Sequence, residues 1–196
     1  MTLHSQPTRT KHKAAFALAV CAALISALAA SAVIMQPPPQ SAKQMQLTSA
    51  AFKNNESIPV QYTCEGKNIS PPLAWTGAPT GTRSFVLIVD DPDAPHGVWT
   101  HWVAFDLPAD TTGLAEDTPK SESITGNARQ GINDFKQIGY GGPCPPPGKP
   151  HRYFFKLYAL DTTLDLKPGS SSKQVQAALG QHVLAQGQLI GTYQRK

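Results

Sequence analysis

Two stretches of the sequence carry side chains suited to binding a small charged ligand. Residues 90–102 contain Asp-Pro-Asp-Ala-Pro followed by His101, and residues 142–153 contain Gly-Pro-Cys-Pro-Pro-Pro followed by His151. An imidazolium is a donor and a positive charge, a glycine N–H can approach an oxyanion closely, and a nearby carboxylate orients an imidazole and raises its pKa. These residue types predict a pocket for an anion, with binding that weakens as pH rises.

The elements that must hold these side chains are predicted strands. The strongest candidates are rich in aromatic and β-branched residues and are bounded by turn formers, and they cover residues 84–89, 99–107 and 152–160. The first is a continuous apolar run, as expected for a strand buried on both faces. If the first two pair as a hairpin, Asp91 and His101 meet at one end of the sheet. Shorter strand candidates cover residues 59–63 and 189–193.

Helical patterning is confined to one segment. Ser172 can cap a run from Lys173 to about Gln186, in which apolar residues recur on one face. The 18 prolines lie mostly between the predicted elements, which favours long, ordered loops. The predicted fold is therefore mainly antiparallel β-structure with little helix.

The N-terminus has the pattern of an export signal. Arg9, Lys11 and Lys13 precede a stretch without charge from residue 14 to 35, and Ala30-Ser31-Ala32 is the small-x-small pattern of a cleavage site. We expect a signal peptide over residues 1–32 and a periplasmic or secreted protein. The alternative is an uncleaved anchor in the inner membrane, extending to about residue 35, because this run approaches the length that spans a bilayer.

A spacer and one domain follow the leader. Residues 36–44 are rich in proline and glutamine and predict a stiff, solvated spacer, which leaves residues 45–196 as a single domain large enough to bury its own core. Without the leader, 14 basic residues face 13 acidic ones, a formal charge of +1. No cluster of Lys and Arg remains, so a nucleic-acid-binding protein is not expected.

Two cysteines lie in the domain, Cys64 and Cys144. In an oxidising compartment they permit one disulfide, which would tether the proline-rich loop. The alternative is two free thiols that pack as small apolar residues. Their separation along the sequence does not decide between the two.

The two motifs resemble the paired signatures of the phosphatidylethanolamine-binding protein (PEBP) family. Residues 68–75 (Asn-Ile-Ser-Pro-Pro-Leu-Ala-Trp) and 187–193 resemble more narrowly its bacterial branch, the Raf-kinase-inhibitor-like proteins of the YbhB/YbcL type. The resemblance covers nearly the whole chain after the spacer. It implies an antiparallel β-sandwich with one or two peripheral helices and a small pocket at one end that binds phosphate-like head groups.

Residue by residue, the resemblance implies a particular set of pocket residues. The ligand-binding groups would be Asp91, His101, Gly142 and His151, with Tyr153, Pro143 and Trp99 as walls. Asp93 lies in the same turn and is expected to accept backbone hydrogen bonds. Other side chains receive lesser roles: His96 as a solvated turn residue, His182 as packing or surface, and Tyr193 as a candidate to close the pocket.

Three classes of function are compatible with this pattern. The first is a non-enzymatic, exported binding protein for a phosphate-like anion or a phospholipid head group, with a protein partner that it inhibits; it would touch a membrane only through an uncleaved leader. The second is a metal-dependent or acid-base hydrolase that uses the same Asp and His residues. The third is a structural envelope protein with a relic pocket. Because no Gly-x-Ser-x-Gly motif occurs, we favour the binding protein and expect no cofactor, metal or catalytic residue.

Overall fold

The computed structural model describes residues 43–196, which form β-strands and a single α-helix. The predicted leader and residues 36–42 of the predicted spacer lie outside the described residues. Within residues 43–196, no helix is long and apolar enough to cross a bilayer. The strands are β1 (Lys43–Gln44), β2 (Gln46–Thr48), β3 (Glu56–Ser57), β4 (Leu73–Thr76), β5 (Ser84–Asp91), β6 (Trp99–Pro108), β7 (Gly113–Leu114), β8 (Arg129–Gln130), β9 (His151–Leu160) and β10 (Val183–Tyr193).

The strands form two sheets. The larger sheet has the order β1-β10-β9-β5-β6-β8, with β3 also paired to β10, and the smaller has the order β2-β4-β7. Only β1 and β3 run parallel to their neighbour β10, and every other pairing between the named strands is antiparallel. The predicted, mainly antiparallel β-fold is confirmed. Lys43 and Gln44, the last two residues of the predicted spacer, belong to the sheet as β1.

The central strand β5 is buried on both faces. Its side chains point alternately to the two faces of the sheet and pack into two separate cores. Phe85, Leu87 and Val89 pack into the core that includes residues of the smaller sheet, where Trp75 meets Phe85 edge-on at 5.5 Å between ring centroids. On the opposite face, the second core contains Val86, Ile88, Val103, Phe105, Leu160, Leu164, Val175 and Leu179. The last two of these lie on the helix α1 (Ser172–Leu179), which covers that face of the sheet.

The hairpin between β5 and β6 forms as predicted. Asp91 pairs with Trp99 across the hairpin, and residues 92–98 make the connection. On its other side β5 pairs antiparallel with β9, so that Asp90 lies opposite Phe154. The C-terminus of β5 and the N-termini of β6 and β9 therefore meet at one end of the sheet, where the two sequence motifs come together.

Two predicted elements differ from the structure. Residues 59–63 contain a 3-10 helix, Val60–Tyr62, and not a strand, because Pro59 accepts the N–H of Tyr62 in a tight turn (3.0 Å). The α-helix is shorter than predicted and ends at Gly180, whose φ of 45° is readily accessible to glycine. Residues 183–186 lie in β10, where pairing with β9 overrides their helical patterning.

The N-terminus of α1 lies one residue earlier than predicted. Ser171, and not Ser172, is the N-cap: its side chain accepts from the N–H of Gln174, and the Gln174 side chain accepts from the N–H of Ser171 at 2.9 Å. This reciprocal pair is a capping box, which satisfies two N–H groups that the first helical turn leaves free. The run of three serines, 170–172, does not by itself show which one caps the helix, and the capping box with Gln174 identifies Ser171.

Cys64 and Cys144 form a disulfide, with 5.4 Å between their Cα atoms. The N–H of Cys64 also donates to the carbonyl of Pro143 at 3.1 Å. A disulfide and a backbone hydrogen bond thus join the proline-rich loop after Gly142 to the segment that follows the 3-10 helix. Of the two alternatives that the sequence leaves open, the bridge is the one observed.

Removing the disulfide should destabilise the fold. A link between residues 80 positions apart restricts the unfolded chain, so replacing both cysteines by serine should lower the free energy of unfolding by about 2–4 kcal/mol. Urea unfolding followed by circular dichroism measures this change. Equal stability of the double variant and the oxidised wild-type protein would contradict the prediction.

A valine pair tests the layer beneath α1. Val103→Ala removes two carbons from a fully buried site and should lower the free energy of unfolding by about 2 kcal/mol. The matched control is Val98→Ala, whose side chain is 62% exposed and whose loss should change stability by less than about 0.5 kcal/mol. The same urea titration measures both, and similar effects in the two variants would argue against this core.

Candidate functional site

A cavity of about 280 Å³ lies at the end of the larger sheet, where β5 ends and where β6 and β9 begin. It is bounded by the hairpin connection, the proline-rich loop and a turn that precedes that loop. Its lining consists of Asp91, Ala94, Pro95, His96, Trp99, His101, Phe135, Cys144, Pro145, Pro146 and His151. Side chains from distant parts of the sequence share this single pocket.

Four of the seven predicted pocket residues line the cavity: Asp91, Trp99, His101 and His151. The other three, Gly142, Pro143 and Tyr153, are buried behind it. Tyr153 packs edge-on against the His101 ring, with 5.1 Å between centroids. It therefore supports a lining residue and is not itself part of the wall.

Gly142 has a different role from the one predicted. Its N–H donates to the side-chain oxygen of Asn68 at 2.7 Å and is therefore not free to bind an anion. A Cβ atom on Gly142 would lie 2.4 Å from the carbonyl oxygen of Tyr62 and 2.7 Å from the Asn68 oxygen. Glycine is required here because the backbone of Tyr62 and Thr63 and the side chain of Asn68 approach closely.

Asp91 holds the geometry of one side of the pocket. One carboxylate oxygen accepts from Nδ1 of His151 at 2.8 Å, and the other accepts the N–H of Asp93 at 2.8 Å. The side chains of Asp91 and His151 are only 5% and 12% exposed, so water competes little for this contact. One oxygen of Asp91 therefore holds His151 on β9, and the other holds the turn after β5.

His101 is buried on the other side of the pocket. Its Nδ1 lies 2.7 Å from the carbonyl oxygen of Gly141, which can only accept, so Nδ1 carries the proton. Burial lowers the pKa of His101, and this effect outweighs the Gly141 carbonyl and the charge of Asp91, which act to raise it. The Asp91 carboxylate acts in the expected direction on His101, but desolvation is larger, so the net shift of the His101 pKa is downward.

Two buried donors beside the pocket have no partner among the described residues. These are the indole N–H of Trp99, which lines the cavity, and the hydroxyl of Tyr153. Burial, followed by the nearby charge of Asp91, raises the pKa of Tyr153, so the phenol keeps its proton. An unpaired buried donor is costly, and such groups are candidates to meet a ligand.

Sequence reasoning missed several lining residues, of which Phe135 is the most important. Its ring packs edge-on against Trp99 at 5.4 Å and against His101 at 5.3 Å. The turn that carries it is fixed by Asp134, whose carboxylate accepts the N–H of Thr100 at 2.7 Å. A lone aromatic residue in a polar turn was the only signal for it in the sequence. Ala94 and Pro95 of the first motif and Pro145 and Pro146 of the second also line the cavity.

The three remaining candidate residues, His96, His182 and Tyr193, lie in different parts of the structure. His96 is exposed, as predicted for a solvated turn residue, but it also lines the cavity. His182 is 51% exposed and its Nδ1 lies 2.8 Å from Asp161. The Tyr193 hydroxyl donates to Glu65 and does not line the cavity. His182, which lies between α1 and β10 and not on the helix, is thus a surface residue, and Tyr193 does not close the pocket.

Asp93 fixes the turn through Arg152, at the start of β9. The guanidinium donates to both carboxylate oxygens, at 2.8 and 2.7 Å, and the Arg152 backbone N–H donates to the same carboxylate at 2.9 Å. These bonds lower the pKa of Asp93 to about 2. The structural role predicted for Asp93 is observed, and it includes a side-chain ion pair as well as a backbone bond.

The side chains of residues 43–196 do not by themselves complete a metal site. Within residues 43–196, no group of three or more His, Cys, Asp or Glu residues is arranged to hold a metal ion. A metal bound in the pocket would therefore need ligands from solvent or from a bound molecule.

The Asp93 ion pair gives a pH-dependent stability. Because the folded pKa lies below the ordinary value of 3.8, the contribution is fully present above about pH 4 and is lost as pH falls through about 2. Asp93→Asn should therefore lower the unfolding temperature at pH 7, and the difference from wild type should shrink below pH 4. Thermal unfolding between pH 2 and 7 measures this effect. Asp110→Asn, at an exposed site, is the matched control, and a difference that is constant with pH would refute the assignment.

Comparisons with known proteins agree with the architecture. The family model described as phosphatidylethanolamine-binding protein matches residues 48–194. A UPF0098 protein of Methanothermobacter thermautotrophicus is 54% identical over 151 residues, 77% of this chain and 99% of the relative. A UPF0098 protein of Aquifex aeolicus is 54% identical over 153 residues, 77% of this chain and 89% of the relative.

Two solved structures are similar in fold. The crystal structure of E. coli YbcL, described as a member of the mammalian PEBP family, has a TM-score of 0.73 and 38% identity over 78% of this chain and 99% of its own. That of a PEBP homologue from Chlamydia trachomatis has a TM-score of 0.71 and 41% identity over 79% of this chain and 100% of its own. With its two sheets, its hairpin motif and these matches, the chain belongs to the phosphatidylethanolamine-binding protein family.

Proposed function

We propose that this protein is a non-enzymatic binding protein whose pocket takes a small anion, either phosphate or the phosphate of a phospholipid head group. One observation carries the proposal. Two histidines from different strands, each fixed by a hydrogen bond at Nδ1, line the same cavity beside the unpartnered donor of Trp99. When its imidazoles are protonated, a preorganised site of this kind binds an oxyanion with little loss of side-chain entropy.

Charge in the pocket depends on its histidines. None of the residues that line the cavity is Lys or Arg, and the carboxylate of Asp91 is negative. Protonating an imidazole adds a positive charge and a second N–H donor. Anion binding is therefore expected to weaken as pH rises, because the histidines then lose that charge.

A hydrolase is less well supported by the same geometry. Both oxygens of Asp91 already accept hydrogen bonds, so this carboxylate is a positioning group and not a free general base. Cys144, the cysteine that lines the pocket, is held in the disulfide. The arrangement favours holding a ligand over attacking it.

We further propose that the protein acts outside the cytoplasm, in the periplasm or as a secreted protein. The signal-like N-terminus motivates this location, and the disulfide between Cys64 and Cys144 supports it, because such bonds persist in oxidising compartments. An inhibited protein partner would meet the exposed side chains of Val98 and Phe135, which neighbour Trp99 in sequence or in space. An uncleaved leader would instead hold the same domain at the inner membrane.

The anion pocket is testable by NMR. Inorganic phosphate titrated into ¹⁵N-labelled protein at pH 6 should shift the signals of His101, His151 and Trp99. His151→Ala should abolish these shifts while the protein remains folded, because it removes the donor that Asp91 orients. His182→Ala is the matched control, since that histidine also contacts a carboxylate but lies on the surface.

Two outcomes would overturn the proposal. Equal phosphate-dependent shifts in His151→Ala and wild type would remove this histidine from the site. The absence of shifts in wild type with both phosphate and dispersed phosphatidylethanolamine would favour a relic pocket. Shifts with lipid alone would identify the head group, and not free phosphate, as the ligand.

A further inference from the structure

We propose that His101 and His151 together form a two-histidine site for a divalent transition-metal ion of the Zn²⁺ class, with the bound ion supplying the positive charge that attracts the anion. The metal site rests on the hydrogen bond that each imidazole makes at Nδ1 and on the cavity that both rings line. The coupling to an anion rests on the proposed function above.

The first step is the proton arrangement on His101. Its Nδ1 is directed at the carbonyl oxygen of Gly141, which has no proton to give, so Nδ1 must be the donor. The second ring nitrogen, Nε2, has no hydrogen-bond partner among the described residues. In the neutral ring, Nε2 therefore carries a free lone pair on a side chain that lines the cavity.

His151 repeats the pattern from a different strand. Its Nδ1 donates to the carboxylate of Asp91, and its Nε2 likewise has no hydrogen-bond partner in residues 43–196. The side chain lines the same cavity as His101. In their neutral forms, the two imidazoles would offer two lone pairs to one pocket of about 280 Å³.

This arrangement is the one that proteins use around bound metals. A histidine that ligates a metal through one ring nitrogen almost always donates the other N–H to a carboxylate or a backbone carbonyl. Here His151 uses a carboxylate and His101 uses a carbonyl. The orienting partners that a metal site requires are already in place, and both are buried.

The charges around the pocket favour the binding of such an ion. The cavity lining includes the carboxylate of Asp91 and no Lys or Arg, and the nearby guanidinium of Arg152 is committed to Asp93. An anion that enters beside two lone pairs and a carboxylate is repelled unless a cation or a proton is added. A divalent ion held by both Nε2 atoms would provide that charge and one open position for an anion oxygen.

The ligand set indicates which class of ion fits. Imidazole nitrogen suits Zn²⁺, Cu²⁺ and Ni²⁺, whereas Mg²⁺ and Ca²⁺ prefer oxygen ligands. Both oxygens of Asp91, the carboxylate nearest the histidines, are already hydrogen-bonded. Since Zn²⁺ usually takes four ligands, water or the anion would fill the remaining positions, which makes the site open and exchangeable.

The test uses ZnCl₂ and the full-length protein at pH 7.5, without phosphate. Long-range ¹H–¹⁵N spectra should show that Zn²⁺ shifts Nε2 of both His101 and His151 and leaves the protonated Nδ1 atoms much less changed. Isothermal titration should show a Zn²⁺ site that is lost in His151→Gln and in His101→Gln. His182→Ala, which removes a surface histidine beside a carboxylate, should keep it.

A second variant protects the test against misfolding of the buried His101 variant. Asp91→Asn keeps both metal ligands but replaces the carboxylate that orients His151, so the affinity for Zn²⁺ should fall by about 10- to 100-fold without being abolished. The wild-type NMR shifts need no substitution. Zn²⁺ that leaves both Nε2 signals unchanged, or that binds equally to His151→Gln, would overturn the site.

The coupling to anions has its own readout. If the ion attracts the anion, phosphate should bind more tightly with Zn²⁺ than with EDTA, and Zn²⁺ should bind more tightly with phosphate by the same factor. Phosphate binding that is equal in EDTA and Zn²⁺ would overturn the coupling and leave the proposed function standing. Zn²⁺ binding to the two histidines, without binding of either phosphate or dispersed phosphatidylethanolamine, would overturn the proposed function and leave the metal site standing.

Discussion

The contact between Asp91 and His151 joins the parts of the structure on which the pocket depends. Asp91 ends β5 and His151 begins β9, and their bond ties the two strands at the point where the chain leaves the sheet. The second oxygen of Asp91 holds the turn through Asp93, and Asp93 in turn holds Arg152. Because Asp91 and His151 are largely shielded from water, their bond fixes the imidazole orientation far better than an exposed pair would.

The sheet beneath provides a rigid base for this arrangement. β5 is covered by the smaller sheet on one face and by α1 on the other, so its end has little freedom to move. On top of it, the disulfide and the close approach of Gly142 to Tyr62 and Asn68 fix the proline-rich loop. Two strand ends and one tethered loop thus build a pocket whose walls lose little entropy when a ligand binds.

The pocket is less positive than its residue types suggest. Burial favours the neutral form of His101, and the other nearby charges are paired with each other. Within residues 43–196, the cavity brings together two oriented imidazoles, each with a ring nitrogen that has no protein partner, and the buried indole donor of Trp99. The same geometry serves an anion that meets protonated rings and a metal ion that meets neutral ones, so protons and metal compete for the same nitrogens.

The sequence by itself determined the family, the three main strands and the residues Asp91, His101 and His151 as a group, because hydrophobic runs and turn motifs are local signals. Only the tertiary structure decided that Asp91 orients His151 and not His101, and that the N–H of Gly142 is used by Asn68. Only the tertiary structure showed that Cys64 and Cys144 form a disulfide and that Phe135 lines the pocket. It also showed that the last residues of the predicted helix belong to β10. Each of these depends on segments that are distant along the chain, and no local pattern encodes which distant neighbour supplies a hydrogen bond, a strand partner or a desolvating wall.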